Sequence, residues 1–204
     1  MNIKRIITTA AVLSIFSLIS AGLVSTTFEV TEERIAAEEQ LVLLQKLNTM
    51  IPEDEYNNDL AGDIIQSNDA LLGPGQHAIY RARLNNKPVA AVLSATSPDG
   101  YSGKIELLIG IYTNGKIAGV RVNKHKETPG LGDKIEIRKS DWIKQFTGKS
   151  LTNPSLSGWQ VKKLGGEFDQ LTGATISPSA IIKATRHTLS YFKQQQHSIF
   201  AELP

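Results

Sequence analysis

The sequence predicts an α+β protein: an N-terminal transmembrane helix, then one extracytoplasmic domain in which helices flank an antiparallel sheet. Three observations predict it. Residues Ile6–Phe28 form a run of 23 without a single charge. An Asn114-Gly115 pair separates two alternating apolar runs, the strongest short signal for a β-hairpin. A Ser177-Pro178 step opens a stretch in which Ile181, Thr185, Leu189 and Phe192 recur at helical spacing.

The uncharged run comes first. At about 1.5 Å per residue it reaches roughly 34 Å, enough for a bilayer core of about 30 Å. Ser20-Ala21-Gly22 offers a signal-peptide cleavage site as the competing reading. The apolar run carries past it to Val24 and Phe28, which favours an uncleaved anchor. Lys4 and Arg5 stand before the span and Glu29, Glu32 and Glu33 after it, so the N-terminus is expected inside and the rest of the chain outside the cytoplasm. The chain divides into residues 1–28 (cytoplasmic N-terminus and anchor), 29–60 (juxtamembrane helix or stalk) and 61–204 (the domain).

From Glu29 to about Ile51, Ala37, Leu41, Leu44, Leu47 and Ile51 keep three- and four-residue steps, which reads as a helix ended by Pro52. Tyr80, Ala82 and Leu84 then alternate with Arg81 and Arg83 as in a half-buried strand. Asn85-Asn86-Lys87-Pro88 turns the chain, and Val89–Leu93 reads as a more central strand. Ile105, Leu107, Ile109 and Ile111 alternate again, and the hairpin partner runs from Ile117 to Val122. This is a meander, without the G-x-G-x-x-G of a dinucleotide-binding unit. Asp141–Phe146 is a short helical piece with Trp142 and Phe146 as core residues. Trp159–Leu164 reads as a further strand and Gly165-Gly166 as a turn. Ser177 is expected to cap the last helix, with Pro178 at its first position.

Composition narrows the chemistry. A net charge of +2 over 204 residues argues against a nucleic-acid surface. The absence of cysteine excludes disulfides and cysteine-held clusters or haem, and the four histidines have no metal-ligand spacing. No nucleophile elbow or zinc-hydrolase motif is present, so no independent catalysis is expected.

Two loops carry the functional signal. In Asp169-Gln170-Leu171-Thr172-Gly173-Ala174-Thr175, Gly173 and Ala174 let a bulky group approach the backbone. Thr175 places a hydroxyl just ahead of a helix start, where free N–H groups and the helix dipole favour a phosphate. In Glu127-Thr128-Pro129-Gly130-Leu131-Gly132, a Pro-Gly step makes a tight exposed turn. Taken alone, the first is also an ordinary small-residue loop leading into a helix, and the second an ordinary turn.

Together they resemble the FMN-binding domains that carry flavin covalently, through D-x-x-[S/T]-G-A-T and E-T-P-G-L-G. Thr172 stands where many members have serine. The resemblance implies FMN joined through its phosphate to Thr175, with Thr172, Gly173 and Ala174 beside it. Asp169 is implied as part of what a Mg²⁺-dependent flavin transferase, drawing on FAD, recognises. Glu127, Thr128, Gly130, Leu131 and Gly132 are implied to help form the flavin pocket. The order of span, helix, meander, both loops and closing helix resembles the anchored flavoprotein subunits of ion-translocating electron transport complexes. That implies a single-pass protein of the bacterial inner membrane with its domain in the periplasm and other complex subunits as partners. The related, longer C subunit of a sodium-pumping NADH:quinone reductase is one alternative. A membrane-anchored binding or scaffold domain without a redox group is another, and a serine hydrolase using Ser177 or Ser179 with His187 as base is a third.

Overall fold

A computed structural model of the chain describes residues 3–201. Helix α1 runs Ile3–Asn48, and the strands β1 Ile64–Ser67, β2 His77–Leu84, β3 Lys87–Gly100, β4 Gly103–Tyr112 and β5 Ile117–Lys124 follow. Helix α2, Ile176–Phe200, closes the chain. The chain divides into two compact units, one ending at Leu43 and the other beginning at Leu44.

In the first unit, Ile3–Glu32 of α1 is long and apolar enough to cross a membrane, and none of its most apolar stretch is buried in the protein. The apolar stripe expected to continue to Ile51 changes character along its length. Leu41 is exposed, whereas Leu47, Met50 and Ile51 are buried as part of the second unit.

That second unit is a sheet with strands in the order β1-β2-β3-β4-β5, every neighbour antiparallel. Asn85 and Asn86 hold φ of 51° and 63°, the left-handed pair that a tight two-residue hairpin needs. Pro88 has no N–H to give to the ladder, and the register slips beside it at Ala82/Arg83. One face, including Ile79, Leu93, Leu107, Ile109 and Val120, packs with Ile181, Leu189 and Phe192 of α2 in the main core. The opposite face is nearly bare at Gly110 and Gly119. A side chain at either would run into Met50, 3.3 and 3.0 Å from the place its Cβ would take. The alternation in β2 reverses the expected faces. His77, Ile79 and Arg81 are buried with the helix-facing core, and Tyr80 lies on the other side.

Three expectations are corrected. Strand β1 lies before the first expected strand; its sequence Ile-Ile-Gln-Ser is too short to show a period. Trp159–Leu164 is no strand: it forms 3-10 turns at Leu156–Gly158 and Lys162–Leu164, joined to the next segment by one bridge between Val161 and Phe168. The apolar residues there feed an aromatic cluster instead. Phe168 lies 4.8 Å from Phe146 and 5.1 Å from Trp159, ring centre to ring centre. Helix α2 begins at Ile176 with Thr175 as its N-cap, two residues earlier than Ser177-Pro178 implied. Pro178 remains within the first turn, where a missing N–H costs little. Ser177 does not cap because a buried carboxylate takes its hydroxyl.

Candidate functional site

The two candidate loops are built alike. Thr128-Pro129-Gly130-Leu131 closes through the Leu131 N–H on the Thr128 carbonyl, 3.2 Å, with Gly130 at φ 79°. Leu171-Thr172-Gly173-Ala174 closes through the Ala174 N–H on the Leu171 carbonyl, 3.1 Å, with Gly173 at φ 80°. Glycine at a positive φ in the third position is the signature of a type II turn. The turns meet: a Cβ on Gly173 would stand 3.0 Å from Leu131 Cδ2.

Between them lies a cavity of about 430 Å³, lined by Tyr101, Glu127, Thr128, Leu131, Gly132, Gly173, Ala174, Thr175, Ile176 and Ser177. Seven of the residues expected from the sequence therefore share one cavity: Glu127, Thr128, Leu131, Gly132, Gly173, Ala174 and Thr175. Thr172, Gly130 and Asp169 are not among the lining residues. Gly130 shapes its turn, and Thr172 is exposed at the corner of the other. Asp169 lies on the surface in an ion pair with Lys162, 2.5 Å, while its carbonyl accepts the Trp142 indole N–H at 2.6 Å and its own N–H donates to Gln145 at 2.8 Å.

Glu127 is the centre of the construction. It is buried, yet its side chain belongs to three segments at once. Ser177 Oγ, in the first turn of α2, donates to Oε2. The Ser102 N–H, in the turn between β3 and β4, donates to Oε1 at 3.1 Å. Gly132 makes the room: a Cβ there would meet Glu127 Cβ at 3.0 Å and Ser177 Oγ at 3.2 Å. The Glu127 N–H donates to His125 Nδ1 at 3.0 Å, so the ring proton sits on Nε2, which faces Glu136 Oε1 at 2.9 Å. That His125 contact first, and the Arg138 guanidinium second, hold the Glu136 carboxyl below its usual range.

Thr175 is half-buried, and its hydroxyl makes no capping bond although it occupies the cap position. The N–H groups of Ile176 and Ser177 open the helix, where no preceding turn supplies an acceptor. A hydroxyl-bearing residue thus lines a cavity of cofactor-binding size at a helix start whose N–H groups suit a phosphate. The chemistry of FMN fits this donor set. Neither candidate hydrolase hydroxyl meets a histidine. Ser177 donates to Glu127, Ser179 to the Thr175 carbonyl, and His187 lines a different cleft with Lys183 and Asp99.

Sequence reasoning missed Tyr101 and Ile176, and read Ser177 only as a cap or nucleophile. The Tyr101 signal was present as an aromatic residue between Gly100 and Gly103 at a hairpin tip.

Comparison with known proteins identifies the family. A family model described as FMN-binding domain matches residues 100–190, and one described as RnfG N-terminal region matches residues 1–50. The chain is 45% identical over 193 residues to the G subunit of the ion-translocating oxidoreductase complex of Pseudoalteromonas atlantica, covering 93% of this chain and 89% of that protein. The protein of that name from Shewanella oneidensis is 44% identical over 93% of this chain and 91% of its own. The Escherichia coli protein is 46% identical over 88% of this chain and 87% of its own.

Proposed function

We infer the function from one premise: the chain belongs to the family of G subunits of the ion-translocating oxidoreductase complex. It is an electron-transfer flavoprotein subunit of such a complex, with an FMN-binding domain at residues 100–190. FMN supplies one- and two-electron chemistry when bound, and the chain positions it.

The finer reading is that FMN is held covalently, by a phosphodiester on Thr175 Oγ1. The observation that carries it is the uncapped Thr175 hydroxyl at the mouth of α2, lining one cavity with the Glu127–Gly132 loop. The phosphate would lie against the N–H groups of Ile176 and Ser177 at the positive end of the helix dipole. Glu127, Thr128, Leu131 and Gly132 bound the space left for the ring, and Gly173 and Ala174 leave the backbone open beside the phosphate. Asp169, exposed and six residues before the acceptor, is free on its outer side for a flavin transferase to read. Thr172, the rival acceptor, is exposed at the turn corner and lines no part of the cavity.

The test is intact mass and peptide mapping of the full chain, expressed with and without a flavin transferase. The wild type is expected to gain the mass of FMN less water on the peptide containing Thr175. Thr175→Ala should lose it, and Thr172→Ala should at most reduce it. Covalent flavin on Thr172, or retained by Thr175→Ala, would falsify the assignment.

A further inference from the structure

We propose that Tyr101 is the aromatic wall on which the flavin ring stacks; the inference rests on the attachment at Thr175. Tyr101 is 68% exposed at the tip of the β3–β4 hairpin, an unusual position for a large aromatic side chain. It is the one aromatic residue among those lining the cavity of Thr175. Two more large apolar side chains of the same lining, Leu131 and Ile176, are 45% and 50% exposed. Three such side chains around one opening form an apolar rim, and exposed apolar rims mark binding surfaces. A flat, fused aromatic ring is the ligand whose burial that rim suits, since it offers apolar faces to side chains and polar edges to water.

The tip is fastened rather than free. The Ser102 N–H, next to Tyr101, is bonded to Glu127, and Gly100 lies so close that a Cβ there would meet Glu127 Oε1 at 2.8 Å. The carboxylate that anchors the first turn of α2 through Ser177 thus also sets the position of Tyr101. A tyrosine has only two side-chain torsions to fix, so a held tip loses little freedom when a ring settles on it. Tyr101 is a positioning residue: it orients the ring and exchanges no proton with it.

The experiment compares flavinylated full-length wild type with Tyr101→Leu and Tyr101→Phe by flavin emission and visible circular dichroism. A stacked phenol quenches flavin emission, and the asymmetric contact gives the flavin bands their dichroism. Y101L should raise the emission several-fold and weaken the visible dichroism. Y101F should keep the dichroism, because the ring remains, while the emission rises with loss of the phenol oxygen. Leu156→Ala, at another exposed apolar residue outside the cavity, should change neither signal. Intact mass separates the two readings. Full FMN occupancy on Thr175 with unaltered spectra in Y101L overturns the stacking alone. A wild-type chain without FMN on Thr175 overturns the attachment and the stacking with it.

Discussion

At the scale of single residues, the site turns on Glu127, whose carboxylate joins three segments that are distant in sequence. Removing it leaves the buried Ser177 hydroxyl without an acceptor, at about 1–3 kcal/mol, and also takes the partner of the more exposed Ser102 N–H. Glu127→Ala should therefore lower the unfolding free energy by about 3 kcal/mol, measured by denaturant titration followed on the buried Trp142 and Trp159. Glu127→Gln keeps one acceptor for the Ser102 N–H, and the Ser177 hydroxyl can turn to accept from the amide, so its cost should be about 1 kcal/mol. Equal costs for the two variants would remove Glu127 from its central role. Glu136 gives a second prediction. Its folded carboxyl is held below the ordinary 4.5 by His125 and Arg138, so its stabilisation is complete above that value and fades as pH falls through the lower folded one. The wild type should out-melt Glu136→Gln near neutral pH, and the gap should close in acid. A gap of constant size across that range would contradict the ion pairing. The Pro129-Gly130 turn was legible because turn chemistry is local, whereas the stretch around Gly173 was legible only as a small-residue loop leading into a helix. The Glu127–Ser177 contact spans fifty residues, and no local pattern encodes it.

At the scale of elements, the meander was legible wherever a strand carried five or more alternating residues or a left-handed asparagine or glycine turn. Asp141–Phe146 was legible too, as a short helical piece. Strand β1 and the 3-10 segments Leu156–Gly158 and Lys162–Leu164 were not, since three or four residues show no period. The faces of β2 were misread because two arginines were taken for the wet side. Both instead run to the end of α2. Arg81 donates to the carbonyls of Ile199, 3.3 Å, and Ala201, 3.2 Å, and Arg83 to that of Phe200, 3.3 Å. Asp63 bridges the two guanidinium groups, accepting from Arg81 Nε at 2.6 Å and Arg83 Nε at 3.0 Å and offsetting half of their charge. These side chains are 6%, 14% and 20% exposed, so loss of the carboxylate strands charge in a largely dry place. Asp63→Asn should cost about 3 kcal/mol, against less than about 1 kcal/mol for Asp141→Asn in the Lys144 surface pair. Comparable losses in the two variants would show that the arginine clamp is no stronger than a solvated pair.

At the scale of the whole molecule, the apolar N-terminal helix was legible from length and charge alone, because a bilayer imposes one simple demand on sequence. Its orientation is a proposal, resting on Lys4 and Arg5 on one side and the glutamates on the other. The chain has no cysteine, so single-cysteine variants carry no background. Leu156→Cys, exposed in the domain, should react with a membrane-impermeant maleimide on spheroplasts, and Lys4→Cys only after lysis. The opposite labelling pattern would place the domain in the cytoplasm.

Helix α2 is fastened at both ends, to Glu127 through Ser177 and to β2 through the arginines. A flavin on the residue that caps it would sit on a stiff mount. Each arriving electron redistributes charge, and soft surroundings must rearrange before the electron can leave again. Groups already fixed in place spare most of that delay. The clamp at the far end of α2, which touches no part of the cavity, would then add to the stiffness of that mount as well as to the stability of the fold.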